Sequence, residues 1–290
     1  MSEAREALYW SAAEDNAVRC GLCPHRCHIP DNACGICGVR ENRKGVLFAS
    51  SYGQVSSVAL DPIEKKPLYM FHPGKRVLSI GGFGCNLRCG FCQNYEISSE
   101  YESIRQSAKY LMPDDVVKLA VQTVPDGNVG IAYTYNEPLI GYEFLSDCAG
   151  LMRSAGLYNI LVTNGYINKE PLEALLPLID ALNIDLKGFT DEFYKRVGGN
   201  LGAVKETISK AAGSCHVEVT TLVIPGENED DIESIAKWLA SVSPDIPLHL
   251  TRFFPRYRYG DRTPTQRETI LRLQKTAEKY LKNVFTGNMA

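Results

Sequence analysis

Several features that mark large classes of protein are missing from this 290-residue sequence. Its 31 basic and 34 acidic residues leave a formal charge of −3, so the chain has no overall electrostatic attraction for nucleic acid or for an anionic membrane. The first ten residues include acidic side chains and no continuous apolar run, which argues against a signal peptide or a membrane span there. Internal repeats and low-complexity tracts are also missing. We therefore expect a soluble, cytoplasmic protein without a membrane partner, and nucleic acid is not a favoured ligand.

Cysteine, by contrast, is plentiful: the chain has ten, many at short spacings that are typical of metal sites. In an intracellular protein such spacings indicate ligands that are kept reduced, and not a disulfide framework. Cys85, Cys89 and Cys92 form a C-x3-C-x2-C run that occurs once and that chance would produce in about one such chain in a hundred. Three thiolates this close can hold three corners of an iron-sulfur cube and leave the fourth iron without a protein ligand. Such an incomplete ligand shell indicates catalysis and not electron storage.

A zinc site and scattered core thiols are the alternatives for these three cysteines. Free cysteine is a common buried residue, so core thiols need no metal. Zinc would require a fourth ligand nearby, yet the rest of this loop contains no further His or Cys. The iron-sulfur interpretation is therefore favoured.

From residue 76 onward, short β-rich runs alternate with longer helical patterns. The expected strands are 77–82, 129–134, 158–163, 180–186, 216–224 and 247–252, and the expected helices are 114–124, 138–153, 204–212, 229–241 and 265–282. Repeated βα units predict a parallel sheet that right-handed crossovers curl in one direction. We therefore expect an α/β fold, with a partial (β/α)6 TIM-like barrel over residues 76–290. A small N-terminal cysteine-rich metal-binding module and linker would occupy residues 1–75.

Candidate site residues, polar in five of the six cases, follow the ends of all six expected strands. In chain order they are the cysteine loop, the segment Tyr135-Asn136-Glu137, Thr163-Asn164, Asp185 with Lys187, Ile224-Pro225-Gly226, and Arg252. Barrel active sites form at the carboxyl ends of the strands. The sequence therefore predicts a mouth lined by these residues around a charged cofactor.

The cysteine loop, with Phe91 before its third cysteine and Gln93-Asn94 after it, resembles the radical S-adenosylmethionine (radical SAM) enzymes. Among them it is most similar to glycyl-radical-enzyme activases such as pyruvate formate-lyase activating enzyme. Other segments resemble the AmmeMemoRadiSam subfamily, which is associated with Memo-like and AMMECR-type proteins. These segments are Cys20-Gly-Leu-Cys-Pro-His-Arg-Cys, Glu64-Lys-Lys-Pro-Leu-Tyr, Thr134-Tyr-Asn-Glu-Pro, Thr163-Asn-Gly-Tyr and Asn183-Ile-Asp-Leu-Lys-Gly. The resemblance extends from about residue 20 to the C-terminus.

The resemblance implies a [4Fe-4S] cluster on Cys85, Cys89 and Cys92, whose open iron binds the methionine part of S-adenosylmethionine (SAM). In such enzymes an electron from the reduced cluster cleaves the sulfonium to a 5′-deoxyadenosyl radical, while the protein supplies positioning and electrostatics. The activases are oxidoreductases that abstract hydrogen from a backbone glycine, which implies a protein or peptide substrate here. An electron donor such as flavodoxin or ferredoxin, and Memo-like and AMMECR-type proteins, are the implied partners.

Residues at the second strand end are also assigned by the resemblance. Tyr135-Asn136-Glu137 stands where activases present Gly-Gly-Glu to the SAM amino group, so the carboxylate is kept and the glycine pair is not. Asn136 can donate and accept hydrogen bonds, and ionised Glu137 can accept one from the ammonium. The alternative is a helix start, with Asn136 as its cap and Pro138 at its first position.

The remaining candidate cofactor contacts follow the other strands. Thr163 and Asn164 resemble the activase segment along the ribose and methionine, although Val162 replaces its aspartate. Phe91 is expected against the adenine or as filling of the loop. Ile224 is expected beside the adenine or in an ordinary turn that ends a strand. Asp185 and Lys187 either pair with each other or contact cofactor or substrate. Arg252, at the sixth strand end, completes the expected set.

A second metal site is expected between residues 20 and 37, where five cysteines lie close to two histidines. Two C-x2-C pairs can build a four-cysteine zinc site. The resemblance selects Cys20, Cys23, Cys27 and Cys37 and leaves Cys34 outside the set. A segment this small buries little core, so metal would hold it together. Zinc is favoured, and a second iron-sulfur cluster that relays electrons stays open.

The stretch from Arg252 to Arg262 interleaves four arginines with four aromatics, a composition found in grooves that bind single-stranded RNA. Cation-π packing at the barrel mouth, or contact with a peptide substrate, would explain it as simply. Two alternatives to protein modification therefore remain. One is radical modification of RNA or of a small molecule, and the other is a non-catalytic, metal-stabilised scaffold.

Overall fold

The structure, a computed structural model, describes residues 5–290. Residues 1–4, with which the segment considered for a signal peptide begins, lie outside the described residues. Short antiparallel strands precede the barrel: β1 (Trp10–Ala12), β2 (Val18–Cys20) and β3 (His28–Ile29) form one sheet, and β4 (Arg40–Arg43) and β5 (Val46–Ala49) form a hairpin. β6 (Gln54–Val55) pairs with a later strand, β9 (Lys109–Tyr110). This part of the chain carries the N-terminal cysteines.

An eight-stranded sheet forms the body of the protein. Its strands are β7 (Ser57–Pro62), β8 (Arg76–Gly81), β10 (Asn128–Tyr133), β11 (Tyr158–Thr163), β12 (Ala181–Asp185), β13 (His216–Val223), β14 (Leu248–Arg252) and β15 (Val284–Gly287). They lie side by side in that order, with β7 antiparallel to β8 and every other neighbouring pair parallel. Because β7 and β15 are the two edges, the barrel is open.

The predicted partial α/β barrel is therefore confirmed. All six expected strands are present, and each observed end lies within one residue of the expected end. Two edge strands, β7 and β15, were not expected and widen the sheet. The domain boundary placed after residue 75 stays a prediction. The structure shows that residues 57–62, which precede this boundary, already pair with β8 in the barrel sheet.

Helices connect the parallel strands, and those from α3 onward each bury apolar residues. They are α1 (Tyr95–Ser98), α2 (Glu102–Gln106), α3 (Pro113–Gln122), α4 (Tyr142–Ser154), α5 (Lys169–Leu175), α6 (Asp191–Arg196), α7 (Leu201–Ala212), α8 (Ile232–Val242) and α9 (Arg267–Ala277). In α8 the buried residues recur with helical spacing at Ile232, Ile235, Ala236 and Leu239. Short 3-10 turns precede α4 and α8, so both α-helices begin later than the sequence predicts. No helix within residues 5–290 has the length and apolar composition needed to cross a bilayer.

Residues 63–71, which we call the plug, place two apolar side chains inside the open barrel. Ile63 and Leu68 are fully buried there. They belong to one apolar cluster with residues of four neighbouring strands, namely Val77, Ala132, Ile160 and Ala181. Two of these four side chains are alanines, which are too small to fill a barrel interior. The plug therefore completes the core beneath the carboxyl ends of the strands.

A buried carboxylate holds the plug in place. Glu218 on β13 accepts hydrogen bonds from the backbone N–H groups of Tyr69 at 3.0 Å and Met70 at 2.8 Å. It also accepts from the ring nitrogens of His249 at 2.6 Å and His216 at 2.9 Å. Burial alone would raise the pKa of Glu218, but these hydrogen bonds outweigh burial and lower it to about 2. The ionised carboxylate is therefore the form that the fold uses.

Replacing Glu218 with glutamine is expected to lower the free energy of unfolding at neutral pH by about 3 kcal/mol, because the amide places a donor against buried N–H groups. The folded pKa of about 2 lies below the usual 4.5, so this stabilisation is present above pH 4.5 and is lost as the pH falls toward 2. The free energy of unfolding of the wild type, measured with denaturant, should decrease as the pH falls over this range. That of Glu218→Gln should change less. The exposed carboxylate of Glu268 supplies the control, Glu268→Gln, and an equal loss in both variants would contradict the account.

Candidate functional site

The three cysteines of the C-x3-C-x2-C run lie in the loop that follows β8, residues 82–94, which we call the cluster loop. The loop begins with a turn in which Gly84 has φ +79°. A Cβ at this position would also overlap the carbonyl oxygen of Cys37. Both the conformation and the close approach therefore require glycine. Beyond this turn, Cys85, Cys89 and Cys92 all border one cavity of about 370 Å³ at the carboxyl ends of the parallel strands.

Hydrogen-bond donors reach the first of these thiols. The Sγ atom of Cys85 accepts from the backbone N–H of Leu87 at 3.3 Å and from Nδ2 of Asn164 at 3.6 Å. Burial raises the pKa of Cys85 above its usual value and raises the pKa of Cys89 to about 12. Thiols with such values are neutral near pH 7, so a bound cation is needed to hold them as thiolates. Donors aimed at sulfur would then stabilise the bound, anionic form.

The cavity brings together most of the residues that the sequence assigns to a cofactor. Its lining includes Cys85, Cys89, Phe91, Cys92, Tyr135, Asn136, Glu137, Thr163, Asn164, Asp185 and Lys187. Ile224 and Arg252 are not part of this lining. Ile224 is fully buried and its N–H donates to Asn228 at 2.8 Å. The Nε of Arg252 donates to the carbonyl of Thr265 at 2.9 Å. Cofactor contact by these two residues stays a prediction.

Glu137 connects the ends of two strands. Its carboxylate accepts hydrogen bonds from the hydroxyl of Thr163 at 2.7 Å and from the backbone N–H groups of Asn164 at 2.8 Å and Leu139 at 3.0 Å. Burial raises the pKa of Glu137 to about 7 despite these bonds. A cation bound in the cavity would favour the ionised form.

The helix start after β10 differs from the alternative that the sequence offered. Pro138 occupies the first position of a 3-10 turn as expected, but Glu137 and not Asn136 is its cap. The side chain of Asn136 instead forms hydrogen bonds with the backbone of the cluster loop. Its Nδ2 donates to the carbonyl of Phe83 at 2.9 Å and its Oδ1 accepts from the N–H of Gly82 at 2.9 Å. Asn136 therefore positions the segment that leads into Cys85.

The residue before Asn136 adopts an unusual conformation. Tyr135 has φ +71°, in the left-handed region that favours glycine. Its hydroxyl donates to Asp61 at 2.8 Å, and the ammonium of Lys66 lies 4.5 Å from the centre of its ring. Asp61 and Lys66 also form an ion pair at 2.8 Å. The plug thus fixes one wall of the cavity through Tyr135.

Of the two expectations for Asp185 and Lys187, the structure shows the ion pair, and contact with cofactor or substrate stays a prediction. They form an ion pair at 2.8 Å, and both line the cavity. Burial would lower the pKa of Lys187, but Asp185 and then Cys89 outweigh it, so the pKa is raised. The ammonium therefore stays charged beside the cysteine loop.

Several lining residues were not predicted, among them Lys65, Thr220, Thr251 and Asn288. Lys65 lies on the plug, which has no regular periodicity, and the sequence assigned it no chemistry. Asn288 follows the unexpected strand β15. Phe91, which was predicted, is nearly buried and packs edge-on against Tyr259 at 5.8 Å. Its proposed contact with adenine stays a prediction.

The N-terminal cysteines also lie near one another. We call Cys20, Cys23, Cys27 and Cys37 the N-terminal cysteine site. Burial, and then the other three thiols of this site, raise the pKa of Cys23 to about 12. Burial also raises the pKa of Cys37 to about 11, although N–H groups of Val39 and Arg40 oppose it. Cys34, which the resemblance leaves outside the set, is exposed. Within residues 5–290, no three His, Cys, Asp or Glu side chains are already arranged as the ligands of a single ion.

A buried ion pair connects this N-terminal region to the barrel. Arg40, on β4, donates to both carboxylate oxygens of Glu143, on α4, at 3.0 and 3.1 Å. The guanidinium also donates to the carbonyl of Leu8, and Glu143 accepts from the Leu8 N–H at 2.6 Å. The side chains of both charged residues are almost completely excluded from solvent.

An open α/β barrel with three cysteines after its first parallel strand is the arrangement that the resemblance to radical SAM enzymes predicts. Residues 79–239 match the family described as the radical SAM superfamily, and the chain belongs to that superfamily. Membership implies a [4Fe-4S] cluster and SAM. The cavity fits that pair of groups: it offers three thiols, a donor network around Cys85 and both acidic and basic side chains.

Similar proteins agree with this assignment. An uncharacterised protein of Methanocaldococcus jannaschii is 42% identical over 293 residues, which are 98% of this chain and 85% of that protein. The pyruvate formate-lyase 1-activating enzyme of Escherichia coli is 25% identical over 216 residues, covering 68% of this chain and 86% of that enzyme.

Solved structures show the same fold at low sequence identity. The crystal structure of QueE from Escherichia coli is 15% identical with a TM-score of 0.52, and covers 80% of this chain and 92% of that one. The crystal structure of Streptococcus suis SuiB bound to SAM is 14% identical with a TM-score of 0.55, and covers 70% of this chain and 48% of that one.

Proposed function

We propose that this protein is a radical SAM oxidoreductase that abstracts hydrogen from a protein or peptide substrate, as the activating enzymes do. The observation that carries the proposal is the shared cavity, in which Cys85, Cys89 and Cys92 face Glu137, Asn164 and Lys187 with no fourth cysteine in the lining. When bound, the cluster and SAM supply an electron and a 5′-deoxyadenosyl radical. The similarity to pyruvate formate-lyase 1-activating enzyme supports the choice of a protein substrate.

The chain's own residues bind and orient these two groups. Glu137 fixes the relative position of the strand ends at Thr163 and Asn164, and its carboxylate is available to the SAM ammonium. Asn164 reaches both this carboxylate, through its N–H, and the Cys85 thiol, through its side chain. Lys187 keeps a positive charge beside Cys89 and offsets part of the negative charge of thiolates. The buried side chains of Ile63 and Leu68 in the plug exclude water from the barrel interior beneath the cavity.

The N-terminal cysteine site would hold a second metal, either zinc or an iron-sulfur cluster. Four thiols in one small segment, of which those of Cys23 and Cys37 have pKa values raised chiefly by burial, together with the N–H groups of Val39 and Arg40 near Cys37, support this assignment. Flavodoxin or ferredoxin would supply the electron, and Memo-like and AMMECR-type proteins are the candidate partners that the resemblance suggests. Metal analysis of anaerobically purified protein distinguishes zinc from iron.

Asn136 offers a test of how the cluster loop is held. Asn136→Ala is expected to lower both the iron content and the rate of SAM cleavage by about 10- to 100-fold, because it removes the side chain that fixes residues 82–84. Asn200→Ala is the control, since Asn200 caps α7 by accepting from Ala203 and should cost only about 1 kcal/mol of stability. Iron content and 5′-deoxyadenosine should be measured together. Equal iron loss in both variants would contradict the positioning role.

The function itself is tested by anaerobic reconstitution with iron and sulfide, followed by dithionite and SAM. We expect 5′-deoxyadenosine to form, and we expect deuterium from a labelled protein substrate to appear in it. Deuterium transfer from RNA or from a small molecule would favour those substrates instead. Binding of RNA with a steep salt dependence would point to the loop from Arg252 to Arg262. Failure to form any 5′-deoxyadenosine with a fully loaded cluster would favour the scaffold.

A further inference from the structure

The N-terminal cysteine site touches the cluster loop directly. Nε2 of His25, which stands between Cys23 and Cys27, lies 2.7 Å from the carbonyl oxygen of Asn86. Because a carbonyl can only accept, the histidine nitrogen is the donor. Asn86 immediately follows Cys85 in the chain. One hydrogen bond therefore joins the two cysteine-bearing segments at the residue next to the first thiol.

Asn86 connects this contact to two residues that line the cavity, Asn164 and Cys85. It is almost completely buried, and its side chain donates to the carbonyl of Tyr166 at 2.8 Å and accepts from Nδ2 of Asn164 at 2.9 Å. The same Nδ2 atom lies 3.6 Å from the Cys85 Sγ. The His25 ring also packs edge-on against Tyr166, at 5.1 Å between ring centres. A continuous network thus runs from the N-terminal cysteine site to the Cys85 thiol.

A second N-terminal segment, around Cys37, approaches the cluster loop at two more points. The carbonyl oxygen of Cys37 occupies the space next to Gly84 that a side chain would need. The guanidinium of Arg88 donates to the carbonyl of Cys85 at 2.7 Å and also to the carbonyl of Ile36. The cluster loop is therefore held on both sides of Cys85 by segments that carry N-terminal cysteines.

We propose that the N-terminal cysteine site and the cluster loop are coupled, and that His25 is the positioning residue that transmits the coupling. Metal at Cys20, Cys23, Cys27 and Cys37 holds His25 against Asn86. Asn86 in turn fixes Asn164 and Cys85, which the cluster and SAM require. This inference rests on the metal site proposed above. By linkage, a SAM-loaded cluster must tighten metal binding at the N-terminal site by the same factor.

Two substitutions at His25 separate the hydrogen bond from ring packing. His25→Phe keeps a ring against Tyr166 and removes the donor, whereas His25→Gln keeps a side-chain N–H and removes the ring. We expect His25→Phe to weaken SAM binding about 10-fold and to shift the reduction potential of the cluster, with N-terminal metal retained. His25→Gln should restore both properties toward the wild type. His28, an exposed neighbour on β3, gives the control His28→Phe, which should match the wild type.

A double-mutant cycle completes the test. Cys23→Ser, which empties the N-terminal site, should reproduce the effect of His25→Phe on SAM affinity and on potential, and the double variant should show no further loss. The coupling is overturned if His25→Phe has wild-type values while metal is present, or if the two effects simply add. Absence of metal from the four N-terminal thiols of the wild type would instead refute the proposed metal site, and the coupling with it.

Discussion

Replacing Cys89 with alanine is expected to reduce SAM cleavage to the rate of a control without protein. Cys89 lies between Cys85 and Cys92 in the cluster loop and borders the same cavity. With only two thiolates the cluster loses a corner that no other side chain in the loop can supply, because the loop contains no further Cys or His. The measurement is dithionite-dependent 5′-deoxyadenosine formation after anaerobic reconstitution, with iron content determined on the same sample.

The matched control for this variant is Cys215→Ala. Cys215 is a half-buried thiol outside the cavity lining, and its nearest hydrogen-bond partner is the carbonyl of Ala211 at 3.6 Å. We expect Cys215→Ala to keep the wild-type iron content and turnover. SAM cleavage by Cys89→Ala at the wild-type rate would contradict the assignment of these three thiols, whatever metal they carried.

Arg40→Met is expected to lower the free energy of unfolding by about 3 to 5 kcal/mol, because it leaves the Glu143 carboxylate buried without its charged partner. The guanidinium also anchors the Leu8 carbonyl, so the segment before β1 should loosen as well. Its Nε atom has no hydrogen-bond partner among residues 5–290, which shows that the pair is imperfectly satisfied. Urea unfolding monitored by circular dichroism supplies the measurement.

Two further variants show whether the charge or the packing matters. Arg43→Met removes a half-exposed arginine of the same strand, which pairs with Glu41 at 2.7 Å, and should change stability by less than about 1 kcal/mol. Arg40→Met with Glu143→Leu replaces both buried charges and should recover most of the lost stability. Equal effects of Arg40→Met and Arg43→Met would show that the buried pair does not hold the N-terminal region to the barrel.

The repeating part of the fold was accessible from the sequence for a physical reason. Parallel strands buried on both faces are short apolar runs, and their polar ends are followed by helical patterns. This is why strands such as β11 and β12 could be located closely, and why Glu137, Thr163 and Asp185 could be placed at one edge. Edge strand β15 has only four residues, with one of them buried, and gives a weaker signal.

Contacts between segments that are distant in sequence could not be predicted in the same way. The plug is irregular, and its anchor Glu218 lies about 150 residues away in sequence, as the separation of 149 from Tyr69 shows. The bond between His25 and Asn86 spans 61 residues and involves a backbone carbonyl, which no side-chain pattern reports. For Asn136, the residue type permits contact with either a cofactor or the backbone. Only the fold shows that its side chain forms hydrogen bonds with the backbone of Gly82 and Phe83.

The most direct test of the account is to ask what occupies the fourth iron. SAM labelled with nitrogen-15 in its amino group should be added to the reduced, anaerobically reconstituted protein, and electron-nuclear double resonance recorded. The account predicts a hyperfine coupling between this nitrogen and the cluster, which is lost in Cys89→Ala and kept in Cys215→Ala. A cluster ligated entirely by protein side chains, or zinc alone at Cys85, Cys89 and Cys92, would contradict it.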